Sequence, residues 1–235
     1  MNKFLTVYQI YFQEKQLEKM REDFPDYTPY LNSDCTVFFE SEVIRSLIQN
    51  GAHFGSDYFA VVSYKLKEKL GYTMKEKWKS IPNIANHSTE EFTPEAFEHE
   101  LKKHQPDVMS FQRHPPHDPV MFANSFHPPF SQYFKKIMAD IGYSWAPTRF
   151  EDVFYCNYFA ARSEIYADFV NKMLAPAMDV MKGMPELMGN SRYPSILPEH
   201  LIAKFGITHY PYHPFLCERM FSFYVHINKL KAMHF

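Results

Sequence analysis

The sequence predicts an α/β fold with a mainly parallel, mixed central sheet flanked by helices. Residues 4–12, 57–64 and 153–161 are rich in β-branched and aromatic side chains, which is typical of buried strands. Amphipathic segments alternate with these strands, as in residues 40–50, where apolar side chains recur at helical spacing. This alternation favours parallel strand pairing with helices on both faces of the sheet.

The remaining elements follow from local start and stop signals. Thr93 followed by Pro94 predicts the beginning of a helix that runs to residue 103, because threonine is a good N-cap and proline suits the first helical position. A long helix is expected from Ser163 towards Lys182, with a kink or break at Pro176. Short strands are predicted at residues 35–39, 107–111 and 207–210, and further helices at residues 13–23, 130–141, 199–205 and 214–229.

Length and composition indicate one large domain, residues 1–235, with an ample core. The chain has 23 Phe, 16 Tyr and 13 Met against 7 Gly, so apolar surface is plentiful and disorder is disfavoured. No GxGxxG, P-loop, GxSxG or HExxH pattern is present. The scarcity of glycine therefore argues against dehydrogenases, kinases and P-loop enzymes. Abundant aromatic rings suit an ordinary bulky core and also sugar binding.

Charge and cysteine usage narrow the class further. The net charge is −2, with both signs interspersed, so a nucleic-acid partner is not expected. The three cysteines are far apart and form no CxxC pair, which favours a reducing, cytoplasmic compartment. No run approaches the ~20 apolar residues of a membrane helix. Residues 221–235, which carry apolar side chains and two lysines, could make peripheral contact with a membrane surface.

A proline-broken histidine segment is the first candidate site. His114, His117 and Asp118 are residue types that bind zinc and similar ions. Their spacing is not that of a helix face, and a solvated turn decorated with histidines explains the pattern equally simply. A metal site and a solvated turn are therefore both open.

Polar residues also flank the strand at residues 153–161 and begin the last long helix. Asp152 precedes that strand, Asn157 lies within it and Arg162 follows it. Glu218 and Arg219 open an otherwise apolar helix, where a buried carboxylate needs a partner or a substrate. Acids in such positions can act as general bases, or they can be solvated turn residues.

Three blocks resemble bacterial glycosyltransferases of capsular and lipopolysaccharide synthesis, which have the GT-A fold. Residues 155–177, YCNYFAARSEIYADFVNKMLAPA, resemble the strand and "xEIYxxF" helix of that family. Residues 214–228, PFLCERMFSFYVHIN, resemble its "GFLxERLxxxYxxHN" helix. Residues 42–65, ending in DYFAVVSYK, look like its "DYxGxxHYRR" stretch, although Ser63, Tyr64, Lys65 and Leu66 replace His-Tyr-Arg-Arg.

The resemblance implies a nucleotide-sugar donor, usually a UDP-sugar, and a glycan or lipid-linked acceptor. It implies Glu218 or Asp152 as catalytic carboxylates. Donor-binding or substrate-binding roles would fall to Asp57, Tyr64, Lys65, Asn157, Arg162 and Arg219. Many such enzymes hold Mn²⁺ or Mg²⁺ on the diphosphate through an Asp-x-Asp motif, and no clean motif of that kind is present here.

Three functions therefore remain open at this stage. The first is a cytoplasmic glycosyltransferase of surface polysaccharide synthesis. The second is a catalytically silent relative that binds ligands or partners, which the missing Asp-x-Asp favours. The third is a metal-dependent hydrolase that uses His114, His117 and Asp118.

Overall fold

A computed structural model describes residues 3–75 and 92–235 of the chain. Its centre is a six-stranded sheet in the order β2-β1-β3-β5-β4-β6. The strands are β1 Lys3–Tyr11, β2 Thr28–Leu31, β3 Ser56–Ser63, β4 Val108–Ser110, β5 Phe159–Arg162 and β6 Ala232–His234. All neighbouring strands are parallel except those that pair with β5, which is antiparallel to both β3 and β4.

Helices connect the strands and cover both faces of the sheet. They are α1 Glu14–Asp23, α2 Glu40–Gln49, α3 Leu66–Lys75, α4 Pro94–His104, α5 Pro119–Phe126, α6 Phe130–Asp140, α7 Ser163–Phe169, α8 Ala175–Lys182, α9 Glu199–Phe205 and α10 His213–Asn228. A π-helical turn, Val170–Leu174, joins α7 to α8, and a 3₁₀ turn, Pro185–Met188, follows α8. The predicted α/β class with a mainly parallel, mixed sheet is confirmed, and the architecture is compatible with a single domain.

The period-two alternation of β3 divides the apolar core between the two faces of the sheet. Phe59 and Val61 join the larger cluster, which includes residues of α2, α6 and α10. Tyr58, Ala60 and Val62 join a smaller cluster with residues of α4. Because successive side chains of a strand point to opposite faces, a strand buried on both sides is almost continuously apolar.

Three predicted strands differ from the structure. Residues 207–210 contain only an isolated bridge between His209 and Ile196. Residues 35–39 form turns that lead into α2 rather than a strand. The strand predicted at residues 153–161 begins only at Phe159. Before it, the backbone N–H and C=O of Phe154 both bond to the Ser222 hydroxyl, at 2.9 and 3.0 Å. A side chain of α10 therefore replaces the strand partner that a β ladder would supply.

The helix that contains Pro176 continues instead of breaking. The π-helical turn lies directly before α8, in which Pro176 is the second residue. Proline lacks an N–H and clashes with the carbonyl of a regular preceding turn. The wider π turn shifts those carbonyls, which lets the helix axis carry on to Lys182.

The first part of the C-terminal segment packs into the core. Phe221, Phe223, Tyr224 and Val225 are buried, and residues 232–234 form strand β6 beside β4. Peripheral membrane contact through residues 221–235 stays a prediction. Within the described part of the chain, no helix has both the length and the apolar character needed to cross a bilayer.

The start of α10 carries a buried histidine that should make stability depend on pH. Burial lowers the pKa of His213 to about 4, opposed by a hydrogen bond to the Met181 backbone. The unfolded chain takes up a proton near pH 6.5, whereas the folded chain does so only near pH 4. Stability should therefore fall by about 3 kcal/mol, 1.36 kcal/mol per pKa unit, as pH drops from about 7 to about 4.

This expectation is testable by urea unfolding at pH 7.5 and 4.5. His213→Phe should lose the share of the pH dependence that His213 contributes. His200→Phe, at an exposed position of α9, should retain it. Equal pH dependence in the wild type and His213→Phe would contradict the assignment.

Candidate functional site

The topology brings several polar segments to the carboxyl edge of the parallel strands. Residues after β3 emerge there, and so do residues before β5, because β5 runs in the opposite direction. Helix α10 ends near the start of β6, at the amino edge of the sheet, because β6 is parallel to β4. The N-terminal half of α10 therefore lies at the carboxyl edge. In open α/β sheets this edge is where ligands bind.

Glu218 and Arg219 form the central ion pair of this edge. Nη1 of Arg219 donates to Oε2 of Glu218 at 2.9 Å. Arg219 is only 8% exposed, and its Nε has no hydrogen-bond partner in the described structure. Glu218 is partly exposed, with 22% of its side-chain surface accessible. A buried cation with an unsatisfied N–H is costly unless another acceptor completes its shell.

Tyr155 supports the arginine from the opposite side. The guanidinium carbon of Arg219 lies 4.3 Å from the centroid of the Tyr155 ring. The Tyr155 hydroxyl and Nε2 of His117 are 2.6 Å apart. Nδ1 of His117 faces the carbonyl of Pro115 at 2.6 Å and therefore donates a hydrogen bond to it. In that tautomer Nε2 accepts a hydrogen bond from the Tyr155 hydroxyl. Burial raises the pKa of Tyr155 to about 12, so the phenol remains protonated.

Glu40 is a site residue that the sequence reasoning missed. It is the first residue of α2, and its pKa is raised by burial first and by the nearby Glu218 carboxylate, while its own backbone N–H and Lys65 act in the opposite direction. Within the sequence Glu40 looks like an ordinary acid in the first turn of a helix. Only the packing of α2 beside α10 reveals its position near Glu218.

The end of β3 supplies Ser63, Tyr64 and Lys65 to the same edge. The Ser63 hydroxyl lies 3.1 Å from the Tyr158 hydroxyl and accepts a hydrogen bond from the backbone N–H of Lys65. The Lys65 ammonium is exposed and lies 5.5 Å from the Tyr64 ring centroid. Cys156 also lies near Glu218. Burial of the thiol, and to a smaller extent the Glu218 carboxylate, raises the pKa of Cys156 to about 12.

Strained backbone marks the same region. Phe39 has φ 52° and ψ −123° immediately before Glu40, a combination that non-glycine residues rarely adopt. Cys156 and Asn157 have consecutive positive φ values of 56° and 58°. Left-handed residues of this kind persist only where surrounding contacts hold them, and they cluster at functional sites.

Three predicted residues lie away from this cluster. Asp57 is at the start of β3, about 20 Å along the strand from Ser63 at its end, at a rise of roughly 3.3 Å per residue. Arg162 pairs with Tyr58 at that same amino edge and contacts Asp107 at 3.5 Å. Asp152 bonds to His234 of β6 at 3.0 Å, which places it about three strand spacings from β3. The structure therefore groups Tyr64, Lys65, Asn157, Glu218 and Arg219 and leaves these three outside.

His114, His117 and Asp118 all make contacts within the protein. His117 uses both ring nitrogens on Pro115 and Tyr155. Asp118 is the N-cap of α5, accepting from Val120 and Met121 at 2.9 Å through Oδ1 and from Thr148 at 2.9 Å through Oδ2. His114 packs edge-on against Tyr155. His117 and Asp118 therefore use these atoms within the protein, and the metal-dependent hydrolase stays a prediction.

Removing the Asp118 carboxylate should destabilise the fold. Asp118→Ala leaves two N–H groups of α5 and that of Thr148 without their acceptor, and we expect a loss of about 0.5–2 kcal/mol in the free energy of unfolding. Asp140→Ala, which removes an exposed ion pair with Lys136 at the end of α6, should cost well under 1 kcal/mol. Chemical denaturation measures both variants. An unchanged stability of Asp118→Ala would contradict the capping role.

The residues at the carboxyl edge do not fit the divalent cation that the family resemblance implies. Among the described residues, no group of three His, Cys, Asp or Glu side chains is arranged to hold a metal ion. The carboxylates described at this edge are Glu218, engaged by Arg219, and Glu40, whose pKa is raised by burial. Cationic side chains are the available partners for a diphosphate here.

Comparisons with protein-family models, curated proteins and solved structures found no match to this chain. The function is therefore argued from the fold and from the chemistry of the carboxyl-edge residues.

Proposed function

We propose that this protein transfers a sugar from a nucleotide-sugar, most simply a UDP-sugar, to a hydroxyl of a glycan or lipid-linked acceptor. The observation that carries the proposal is the Glu218–Arg219 pair on α10. It combines a partly exposed carboxylate with a buried cation that has an unsatisfied N–H. Sugar transfer requires both groups, a base for the acceptor and a cation for the departing diphosphate.

The sheet supports this proposal at the level of architecture. The sheet has five strands that run in the same direction and one reversed strand, β5, which lies between β3 and β4. This arrangement is consistent with a GT-A-like nucleotide-diphospho-sugar transferase fold. The reversed strand carries residues 155–158 to the edge where β3 ends. A donor bound there would lie beside Lys65, Tyr155 and Arg219, and the acceptor would approach Glu218.

In the proposed step, the acceptor hydroxyl attacks the anomeric carbon of the donor sugar. Its proton passes to Oε1 of Glu218, because Oε2 is held by Arg219. The bond between the anomeric carbon and the phosphate oxygen breaks, and its electron pair leaves with the diphosphate. Lys65 and Arg219 stabilise the charge that develops on that oxygen.

Glu40 has a supporting role in this scheme. Burial and the Glu218 carboxylate raise the pKa of Glu40, so Glu40 takes up a proton more readily than an exposed glutamate does. A protonated carboxyl group at this position would add no repulsion next to an anionic diphosphate.

A ligand-binding protein without turnover is the second candidate. The absence of three-ligand metal clusters within residues 3–75 and 92–235 favours it, because many nucleotide-sugar transferases neutralise the diphosphate with a cation. This candidate predicts the same nucleotide affinity and no release of nucleoside diphosphate from any donor.

Nucleotide binding is the first test. We expect one of UDP, GDP or CMP to raise the melting temperature, with a stabilisation of about 2.7 kcal/mol at a hundred times its Kd. The shift should not require Mn²⁺. Lys65→Met should weaken binding about ten-fold, as loss of one charge contact costs about 1.4 kcal/mol, whereas Lys135→Met, at an exposed position of α6, should bind like the wild type. No shift with any of the three nucleotides at millimolar concentration would overturn the proposal.

A further inference from the structure

A cavity lies at the amino edge of the sheet, the edge opposite the Glu218–Arg219 pair. It has a volume of about 450 Å³ and is lined by residues from β1, β3, α7 and the segment before β3. This volume falls within the range of small-molecule sites, about 300–1,000 Å³. Two predicted binding residues that lie away from the carboxyl edge, Asp57 and Arg162, line this cavity.

An exposed aromatic ring forms one wall of the cavity. Phe54 is 79% exposed, which is unusual for so large an apolar side chain. The ring is nevertheless held in place, since its centroid lies 4.2 Å from that of His53. It also covers Gly51, where an added Cβ would meet the ring at 2.8 Å. The local sequence therefore presents this ring to solvent in a fixed orientation.

Polar groups surround the ring on the other walls. Asp57 and Glu164 are exposed carboxylates, and the Arg162 guanidinium bonds to the Gln105 carbonyl at 3.1 Å. The hydroxyls of Ser56 and Ser163 lie 3.3 Å apart. His53, only 8% exposed, has a buried Nδ1 that lacks a hydrogen-bond partner in the described structure.

The charges of the cavity decide which ligand class fits. Two carboxylates, Asp57 and Glu164, line it together with one cation, Arg162, which already contacts Asp107. The balance disfavours phosphate or other anions. A pyranose presents a C–H face that packs on an aromatic ring, and hydroxyls that donate to carboxylates and accept from guanidinium or amide groups.

We propose that this amino-edge cavity binds a neutral saccharide, with the sugar face on Phe54 and its hydroxyls on Asp57 and Arg162. If the proposed transferase function holds, this site retains a glycan acceptor at a distance from the carboxyl edge. The sugar site itself is independent of that function, because the two edges are separated by the length of β3.

The test uses three neutral probes, cellotetraose, maltotetraose and chitotetraose, titrated into the full chain without nucleotide. Two-dimensional NMR should show saturable amide shifts at residues 53–58 and 162–164 for at least one probe, with a millimolar Kd. Phe54→Ala should weaken that binding about ten-fold. Phe122→Ala, which removes a ring that is 51% exposed on α5, should bind like the wild type.

Other outcomes have definite meanings. Saturable shifts at the carboxyl edge alone, equal affinity of Phe54→Ala and wild type, or no shift with any probe would each overturn the saccharide site. Shifts at residues 53–58 with spermidine and with none of the sugars would overturn the ligand class. Phe54→Ala should retain the wild-type nucleotide response, so failure of nucleotide binding and failure of sugar binding are separate results.

Discussion

Replacing Glu218 by Gln is expected to lower the rate of sugar transfer by about 10²–10⁴-fold, the usual contribution of a general base. The amide retains an oxygen that can accept from Arg219 but cannot take the acceptor proton. The loss should therefore fall on kcat, with nucleotide affinity close to that of the wild type. Release of nucleoside diphosphate from a UDP-sugar in the presence of acceptor measures the rate.

The matched control is Glu199→Gln. Glu199 is an exposed acid in the first turn of α9, so its replacement makes the same chemical change outside the carboxyl-edge cluster. Equal rates for Glu218→Gln and the wild type would remove Glu218 from the mechanism. A loss that appears only in nucleotide affinity would assign Glu218 to binding.

Replacing Phe221 by Ala is expected to cost about 3–5 kcal/mol of the free energy of unfolding, the range for a buried aromatic ring. Phe221 is 1% exposed and stacks on Phe159 with a centroid separation of 3.5 Å and nearly parallel planes. Its ring also contacts the rings of Phe154 and Phe169. The substitution would open a cavity between α10, the sheet and α7.

Urea denaturation should show the loss as a lower midpoint with an unchanged m-value. Phe122→Ala, at a half-exposed position, should change stability by no more than about 0.5 kcal/mol. If Phe221→Ala proved as stable as Phe122→Ala, the packing of α10 against β5 would be wrong. The same result would undermine the placement of Glu218, which the same helix carries.

Local patterns predicted most of the elements. Residues 57–64 and 4–12 form strands close to their predicted limits, because continuous apolar, β-branched runs have few alternatives when buried on both faces. Thr93 caps α4, accepting from the Ala96 N–H at 3.1 Å, since the signal for a helix start lies within four residues. Strand β6 was not predicted, because residues 232–234 have no strand pattern of their own and depend on β4 for pairing.

The candidate site was only partly predictable. Glu218 and Arg219 stood out because charged residues begin an apolar helix, and the structure places them together. Asp57 and Arg162 were predicted as binding residues because they flank strands, but both lie at the amino edge. Arg162 follows a strand that runs antiparallel, so the end of β5 lies at the opposite edge from the end of β3.

The sequence by itself determined the α/β class, the Thr93 cap of α4 and the two-sided burial of the central strands. These properties depend on the side-chain periods of helices and strands and on contacts between near neighbours. Tertiary structure alone decided that β5 is reversed, that Glu40 lies near Glu218, and that His117 bonds to the Tyr155 hydroxyl. Those outcomes depend on contacts between residues that are 38 to 178 positions apart in the sequence. No local pattern encodes such contacts, because many pairings of strands and helices satisfy the same side-chain periodicity.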